Sequence, residues 1–445
     1  MRLALRLLVT TFVAATPVLA QTTKPTTPEQ ILTGLPMATA AAELARSVGG
    51  SGAGFVARID DRRRFALGIA QTLRAVERLQ GNCYALGIRD DGLGQYMPFT
   101  RIATPRKTPQ NRQQIPEPKL LDPIDDAVNQ AGGGLQEMLA VPVSADLIDK
   151  GLTVFRDDLA VAIQTLDGVN DSNVALTLPV LQLRLDTNGF VPGGEATLGG
   201  ILERLGVTAQ SALADNKSVV RLDYGDVCWL RGYLHLVSAM TELTLAYDKA
   251  ELIDVCGEAV FHRVAHSPNY PAGMTPLFEV MPGTDVVDVI AFVHKMKLPV
   301  KDAKHMAAAR GHLKAMIAES RKSWDSILKE TDNEDEWIPG PSQQSVLRGR
   351  RITQEQIDGW LAFLDDGDAI LDGTKLIPFW RAKDGRGVDV NMLMDKPPAF
   401  DPIMWVHGAP LGPYLRKGPL ANGDTYRRLE RLLGGDFFTF AAWVN

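Results

Sequence analysis

Apolar residues recur at helical spacing along most of this chain. Phe65, Ile69, Leu73, Val76 and Leu79 fall three or four positions apart, which predicts one amphipathic helix from Asp61 to Gln80, with Gly81-Asn82 as its stop. The same pattern predicts helices near 124–131, 135–140 and 145–166, the first two separated by Gly132-Gly133-Gly134. A helix from Glu195 to about Leu205 is expected next, followed by a short extended piece, Val219 to Leu222. A long helix then runs from Asp226 to about Ala246, with Trp229, Leu230, Tyr233, Leu234, Val237 and Met240 along it. Asp223 and Asp226 stand three apart at its start, the spacing of an N-cap and an acid that complements the helix dipole. Further helices are predicted over 250–267 and 301–329, the second stopped by the acidic loop Asp332 to Glu336. Thr353-x-x-Gln356 reads as a capping box opening TQEQIDGWLAFLDDGDAIL, which the Asp365-Asp366-Gly367-Asp368 run is expected to end or kink. Short strand-like pieces, KLIPFW, VDVNML and DPIMWV, lie within 375–415, and a helix near 424–433 and an aromatic tail close the chain. The fold class is therefore mainly α, a helical bundle-like arrangement with minor short β elements.

Two segments break this pattern. The start, MRLALRLLVTTFVAATPVLA, has Arg2 and Arg6, a short apolar run and a small-residue Val18-x-Ala20 ending. That is the pattern of a secretory signal peptide over 1–20, too short to span a bilayer. Residues 91–123 are rich in proline and carry Arg101, Arg106, Lys107 and Arg112, a wrapping loop or linker with a solvated basic patch. The organisation expected is a helical segment over 21–90, that linker, a central helical region over 124–331, and an α+β segment over 332–445 packed on it. No later stretch has ~18 consecutive apolar residues, so no transmembrane segment is expected in the mature chain. The short leader pattern suits a bacterial periplasmic or secreted protein. The formal charge is −6, which argues against nucleic acid or an anionic membrane as a general partner and leaves an envelope or extracellular partner of unknown kind.

Three cysteines, Cys83, Cys228 and Cys256, are too few for a disulfide-built scaffold. In an antiparallel hairpin turning near Asp248, Cys256 would face residue 240, leaving Cys228 roughly 18 Å away along the axis. Bridging needs Cα atoms within about 7 Å, so this pair is expected to be unlinked.

Candidate chemistry centres on RLDTNGFVPGGEATL, residues 184–198. Asp186 and Asn188 sit where the first two calcium ligands of a helix-loop-helix hand would sit, and Glu195 stands where the closing acid would be, two places early. This stretch resembles an EF-hand or dockerin-type calcium loop shortened by two residues, over about ten residues of the chain. The resemblance implies an EF-hand-like helix-loop-helix with calcium held weakly, because one ligand position is missing. The triplet RLD recurs at Arg221-Leu222-Asp223, so a strand at Val219 to Leu222 is expected beside the loop, with Asp223 and Asp226 as remote calcium candidates.

A second constellation is EAVFHRVAH, in which Glu258, His262 and His266 fall four apart and share one helix face. Two imidazoles at that spacing suit zinc, and His294, His305 or His312 would supply a further ligand. The HExxH pattern is absent, so zinc is the less favoured ion and a solvated histidine face is the plainer reading. Ser326-x-x-Lys329 matches an acyl-enzyme motif without its companion motifs, and no phosphate or dinucleotide loop is present. The sequence therefore points to an exported envelope protein, a binding or structural module with a weak calcium site, more readily than to an enzyme. A metal-dependent hydrolase using Glu258, His262 and His266 is the alternative.

Overall fold

The computed structural model describes residues 27–48, 60–86, 143–186, 195–199, 219–257, 260–261, 285–347, 349–382, 384–435 and 437–444. The leader expected over 1–20, the proline-rich segment and the helices expected near 124–131 and 135–140 lie outside these residues. Among the described residues the fold is mainly α with a few short strands, as the periodicity predicts. The order is α1 Pro28–Gly34, α2 Met37–Val48, α3 Asp61–Ala85, α4 Ala145–Asp167, β1 Leu176–Leu178, β2 Arg184–Asp186, β3 Glu195–Thr197, β4 Val220–Leu222, α5 Tyr224–Leu245 and α6 Ala250–Cys256. It continues with α7 Asp285–Lys295, α8 Ala303–Ile327, α9 Gln354–Leu371, β5 Ile377–Pro378, β6 Gly387–Val388, α10 Val390–Asp395, α11 Pro402–His407, β7 Leu415–Arg416, α12 Asp424–Leu432 and α13 Phe437–Val444. No helix of the described residues is long and apolar enough to cross a membrane.

Local chemistry explains the helix starts. Thr27 with Gln30, Asp223 with Asp226, and Thr353 with Gln356 form reciprocal capping boxes that satisfy amides otherwise orphaned at a first turn. Several expected boundaries move. α3 runs through Gly81-Asn82 to Ala85, because Gln80 and Asn82 are buried and packing outweighs the ~1 kcal/mol a mid-helix glycine costs. α9 continues past the Asp365–Asp368 run, because Arg321 pairs with Asp365 and Asp368, and Lys375 with Asp366, which relieves the like-charge repulsion. VDVNML and DPIMWV hold helices α10 and α11, each started by a capping aspartate, Asp389 and Asp401.

Two corrections bear on the candidate sites. Glu195–Thr197 is a strand, not the start of a helix: it pairs antiparallel with Arg184–Asp186, Asp186 standing opposite Glu195. The Leu198 amide donates to the Leu183 carbonyl at 2.9 Å and extends that ladder, so helical backbone begins only at Leu198. β4 pairs with β1, Leu222 opposite Leu176, in a separate two-stranded sheet. The helix expected over 250–267 stops at Cys256. Past it, the Val260 and Phe261 amides both turn back to the Gly257 carbonyl, and Phe261 is buried against Val143.

Among the described residues, two large apolar cores result, beside two small clusters around Val143 with Phe261 and around Val220 with Val346. One gathers α1 to α4 around Leu32, Phe65, Leu159, Leu166 and Leu176, and the other gathers the C-terminal half around Trp324, Ile357, Trp360 and Phe440. α5 serves both, giving Val227 and Leu234 to the first and Ala239 and Leu243 to the second. Its most extensive packing is against α8. The pairing is antiparallel, since partners descend on one helix as they rise on the other: Arg231 with Glu319, His235 with His312, Glu242 with His305, and Tyr247 bridged to Val300. Gly225 permits the close approach at one end, where an added Cβ would come 3.0 Å from Ile327 Cγ1. No disulfide joins Cys228 and Cys256, as the spacing argument requires.

Candidate metal centre

The close approach at Gly225 brings the start of α5 against the segment that follows α8. Asp223 caps α5, its Oδ1 accepting from the Gly225 amide at 2.8 Å, while Asp226 Oδ2 accepts from the Asp223 amide at 3.0 Å. Glu330 follows the end of α8. Its Oε2 accepts from Gln343 Nε2 at 3.3 Å, and its Oε1 is buried with no hydrogen-bond partner. Glu336 is 2% exposed and comes from the acidic loop, which is held from both sides. Its backbone bridges to Arg221 in β4 and to Ser345, and the Arg221 amide donates to the Asp335 carbonyl at 3.1 Å. Asp335 takes a left-handed φ of 58°, a conformation uncommon for a side-chain-bearing residue, at the turn that presents Glu336.

Asp223, Glu330 and Glu336 each place a carboxylate oxygen within 4.8 Å of the other two. Arg221 is the cation beside them, with Nη1 at 3.6 Å from Asp223, and it is shared with Asp332 at 3.2 Å and Glu334 at 3.7 Å. Negative charge therefore exceeds its local compensation. Burial pushes Glu330 up to about 7, and the Asp223 charge adds to it. Burial likewise pushes Glu336 up to about 7, with Asp223 and Asp332 adding to it. Asp226, enclosed and beside Asp223, is held well above the ordinary carboxylate range, and burial also raises Asp223.

Such a cluster has two ways to exist at neutral pH: it takes up protons, or it takes up a cation. Three carboxylate oxygens that all lie within 4.8 Å of one another can bond a single ion, and calcium accepts such a set in flexible geometry where magnesium demands a near-ideal octahedron. The donors are all hard oxygens, which excludes the soft-ligand metals.

No protein family, curated protein or solved structure matches the chain. The chemistry of the residues is then the basis for reading the site.

The sequence-based candidates divide. Asp223 and Asp226, reached through the repeated RLD triplet, belong to this cluster, Asp223 directly and Asp226 through the capping box. Asp186 and Glu195 face each other across a β-ladder, and Asn188 lies outside the described residues, as do Glu258, His262 and His266. His305 pairs with Glu242, and His312 with His235. Lys329 of the Ser326 motif is paired with Asp325 at 2.6 Å. Sequence reasoning missed Glu330 and Glu336 as ligands. Their signal was present in ETDNEDEWI, acids crowded between a helix end and the apolar Trp337-Ile338, but nothing local pointed from that loop to Asp223.

Proposed function

We propose that this chain is an exported helical binding or structural module of the bacterial envelope, steadied by calcium held at Asp223, Glu330 and Glu336. The observation that carries the reading is the convergence of three carboxylates, each with an oxygen within 4.8 Å of the other two, together with a buried Glu330 oxygen that has no hydrogen-bond partner. The ion ties β4 and the start of α5 to the end of α8 and its acidic loop, so its role is to fix the seam between the two cores. Backbone carbonyls or water complete the six to eight oxygens calcium takes, ~2.4 Å away.

The test is thermal unfolding at pH 7.5 in EDTA and in millimolar calcium. Calcium bound only by the native state at about 100 times its Kd stabilises by about 2.7 kcal/mol, a rise of a few degrees at this size. Asp223→Asn and Glu336→Gln keep the hydrogen-bond acceptors and remove one charge each, so the calcium shift is expected to disappear in both. The absence of a shift in the wild type, or an equal shift in all three proteins, overturns the assignment.

A further inference from the structure

About 18 Å along α5 from the carboxylates, counted as 12 residues at ~1.5 Å each, the seam holds a different kind of donor. His235 on α5 and His312 on α8 place their Nδ1 atoms 2.9 Å apart, with ring centroids 5.2 Å apart and planes inclined by 42°. In the metal-free pair, one ring donates its Nδ1 proton to the other. We propose that His235 and His312 form a two-histidine clamp for one borderline transition-metal dication, of which Zn²⁺ is the test case.

Two Zn–N bonds of ~2.05 Å meeting at a tetrahedral angle hold their nitrogens about 3.3 Å apart. The observed separation is within a few tenths of an ångström of that, so the two helices need barely move. Both rings are half-buried, which leaves a path for the ion and room for water at its remaining positions. Burial lowers the proton affinity of both rings, so each is neutral near pH 7 and has a lone pair to give. The field is mixed: Glu319 and Asp167 act on His235 and Glu242 acts on His312 in favour of a cation, and Arg231 acts against it. The ring that was the donor moves its proton from Nδ1 to Nε2, so both imidazoles stay neutral and no net proton is released. Nitrogen ligands set this site apart from the oxygen-only cluster, which suits a hard ion. Since α5 serves both cores, an ion here would staple them at mid-seam.

The experiment is calorimetric titration of chelator-treated full-length protein with ZnCl₂, with imidazole ¹⁵N spectra recorded alongside. The wild type is expected to take up one ion at this pair, with the ring signals of His235 and His312 shifting together. His235→Gln and His312→Gln are each expected to weaken that binding by about tenfold or more. Glu336→Gln is expected to leave it unchanged. Zinc binding that survives undiminished in both histidine variants overturns the proposal. If either variant fails to fold, the wild-type spectra decide: two unmoved rings in the presence of excess zinc are equally fatal to it.

Discussion

Both ends of the α5–α8 pair bury carboxylates, and only one end brings enough cations to balance them. At the end near Tyr247, Asp149 is held by Lys249 and, at 2.8 Å, by Lys301, while Glu242 accepts from His305 and has Arg156 Nε at 3.8 Å. At the end near Gly225, Asp223, Asp226, Glu330 and Glu336 have Arg221 beside them, itself divided among Asp223, Asp332 and Glu334. Burial of an acid is the same physical event at both ends. The difference is whether the compensating charge was folded in with it. A balanced end is complete as a structure; an unbalanced end is stabilised further by whatever positive species arrives, a proton or a metal ion.

The largest effect separates the ends most sharply. Asp149→Ala leaves Lys249, 8% exposed, without its carboxylate, and breaking such a buried pair costs about 3–5 kcal/mol. The loss is expected to be the same in EDTA and in calcium, measured by denaturant unfolding. A loss that calcium repairs would show that the two ends are not independent.

The pH dependence comes next, and its two limbs have opposite causes. In EDTA, Glu330 and Glu336 have folded values of about 7, above the unfolded value. Their contribution is full below pH ~4.5 and is lost as pH rises through about 7. His235 and His312 are depressed below 6.5, chiefly by burial, so their contribution is present above that value and is lost as pH falls through the folded values. The two windows overlap between about pH 4.5 and 7, so in EDTA the carboxylate loss on raising the pH is set against the imidazole gain, and the net slope there is expected to be shallower than either alone. Calcium should flatten the alkaline limb alone, and so should Glu336→Gln. His312→Gln should flatten the acid limb alone. Melting temperatures at roughly half-unit steps from about pH 5 to 8.5 check this. Calcium that altered the acid limb as strongly as the alkaline one would contradict the separation of the two sites.

The long helices were legible because their information is local. Tyr224–Leu245 needs only its apolar spacing and the Asp223–Asp226 box, and Gln354–Leu371 only its own periodicity and Thr353 with Gln356. The errors came where partners distant in sequence decide. Glu195–Thr197 looks helical by itself and becomes a strand because Arg184–Asp186 offers it a ladder. The Asp365–Asp368 run looks like a helix end and is not one, because Arg321 and Lys375 neutralise it. The candidate centre shows both cases in one place. Asp223 was identifiable as a special position from its spacing, whereas its meeting with Glu330 and Glu336 depends on β4 bridging to the acidic loop across more than a hundred residues.

The smallest expected effect concerns the shortened loop that first suggested calcium. Asp186 and Glu195 are opposed in register, so two acidic residues stand at the facing ends of β2 and β3. The resemblance to a calcium hand drew its ligands from Asp186, Asn188 and Glu195, and its geometry asks for helices on both sides; the paired strands β2 and β3 stand there instead. Each carboxylate at Asp223, Glu330 and Glu336 is matched by two others within bonding reach of one ion, which is a stronger demand for a cation than a facing pair makes. Asp186→Ala is therefore expected to change the calcium-dependent rise in melting temperature by less than about 0.5 kcal/mol in equivalent stability. The measurement is the same pair of melts, in EDTA and in millimolar calcium, run beside Asp223→Asn. If the shift survives in Asp223→Asn and vanishes in Asp186→Ala, calcium belongs to the loop, and the unbalanced end of the seam is satisfied by protons alone.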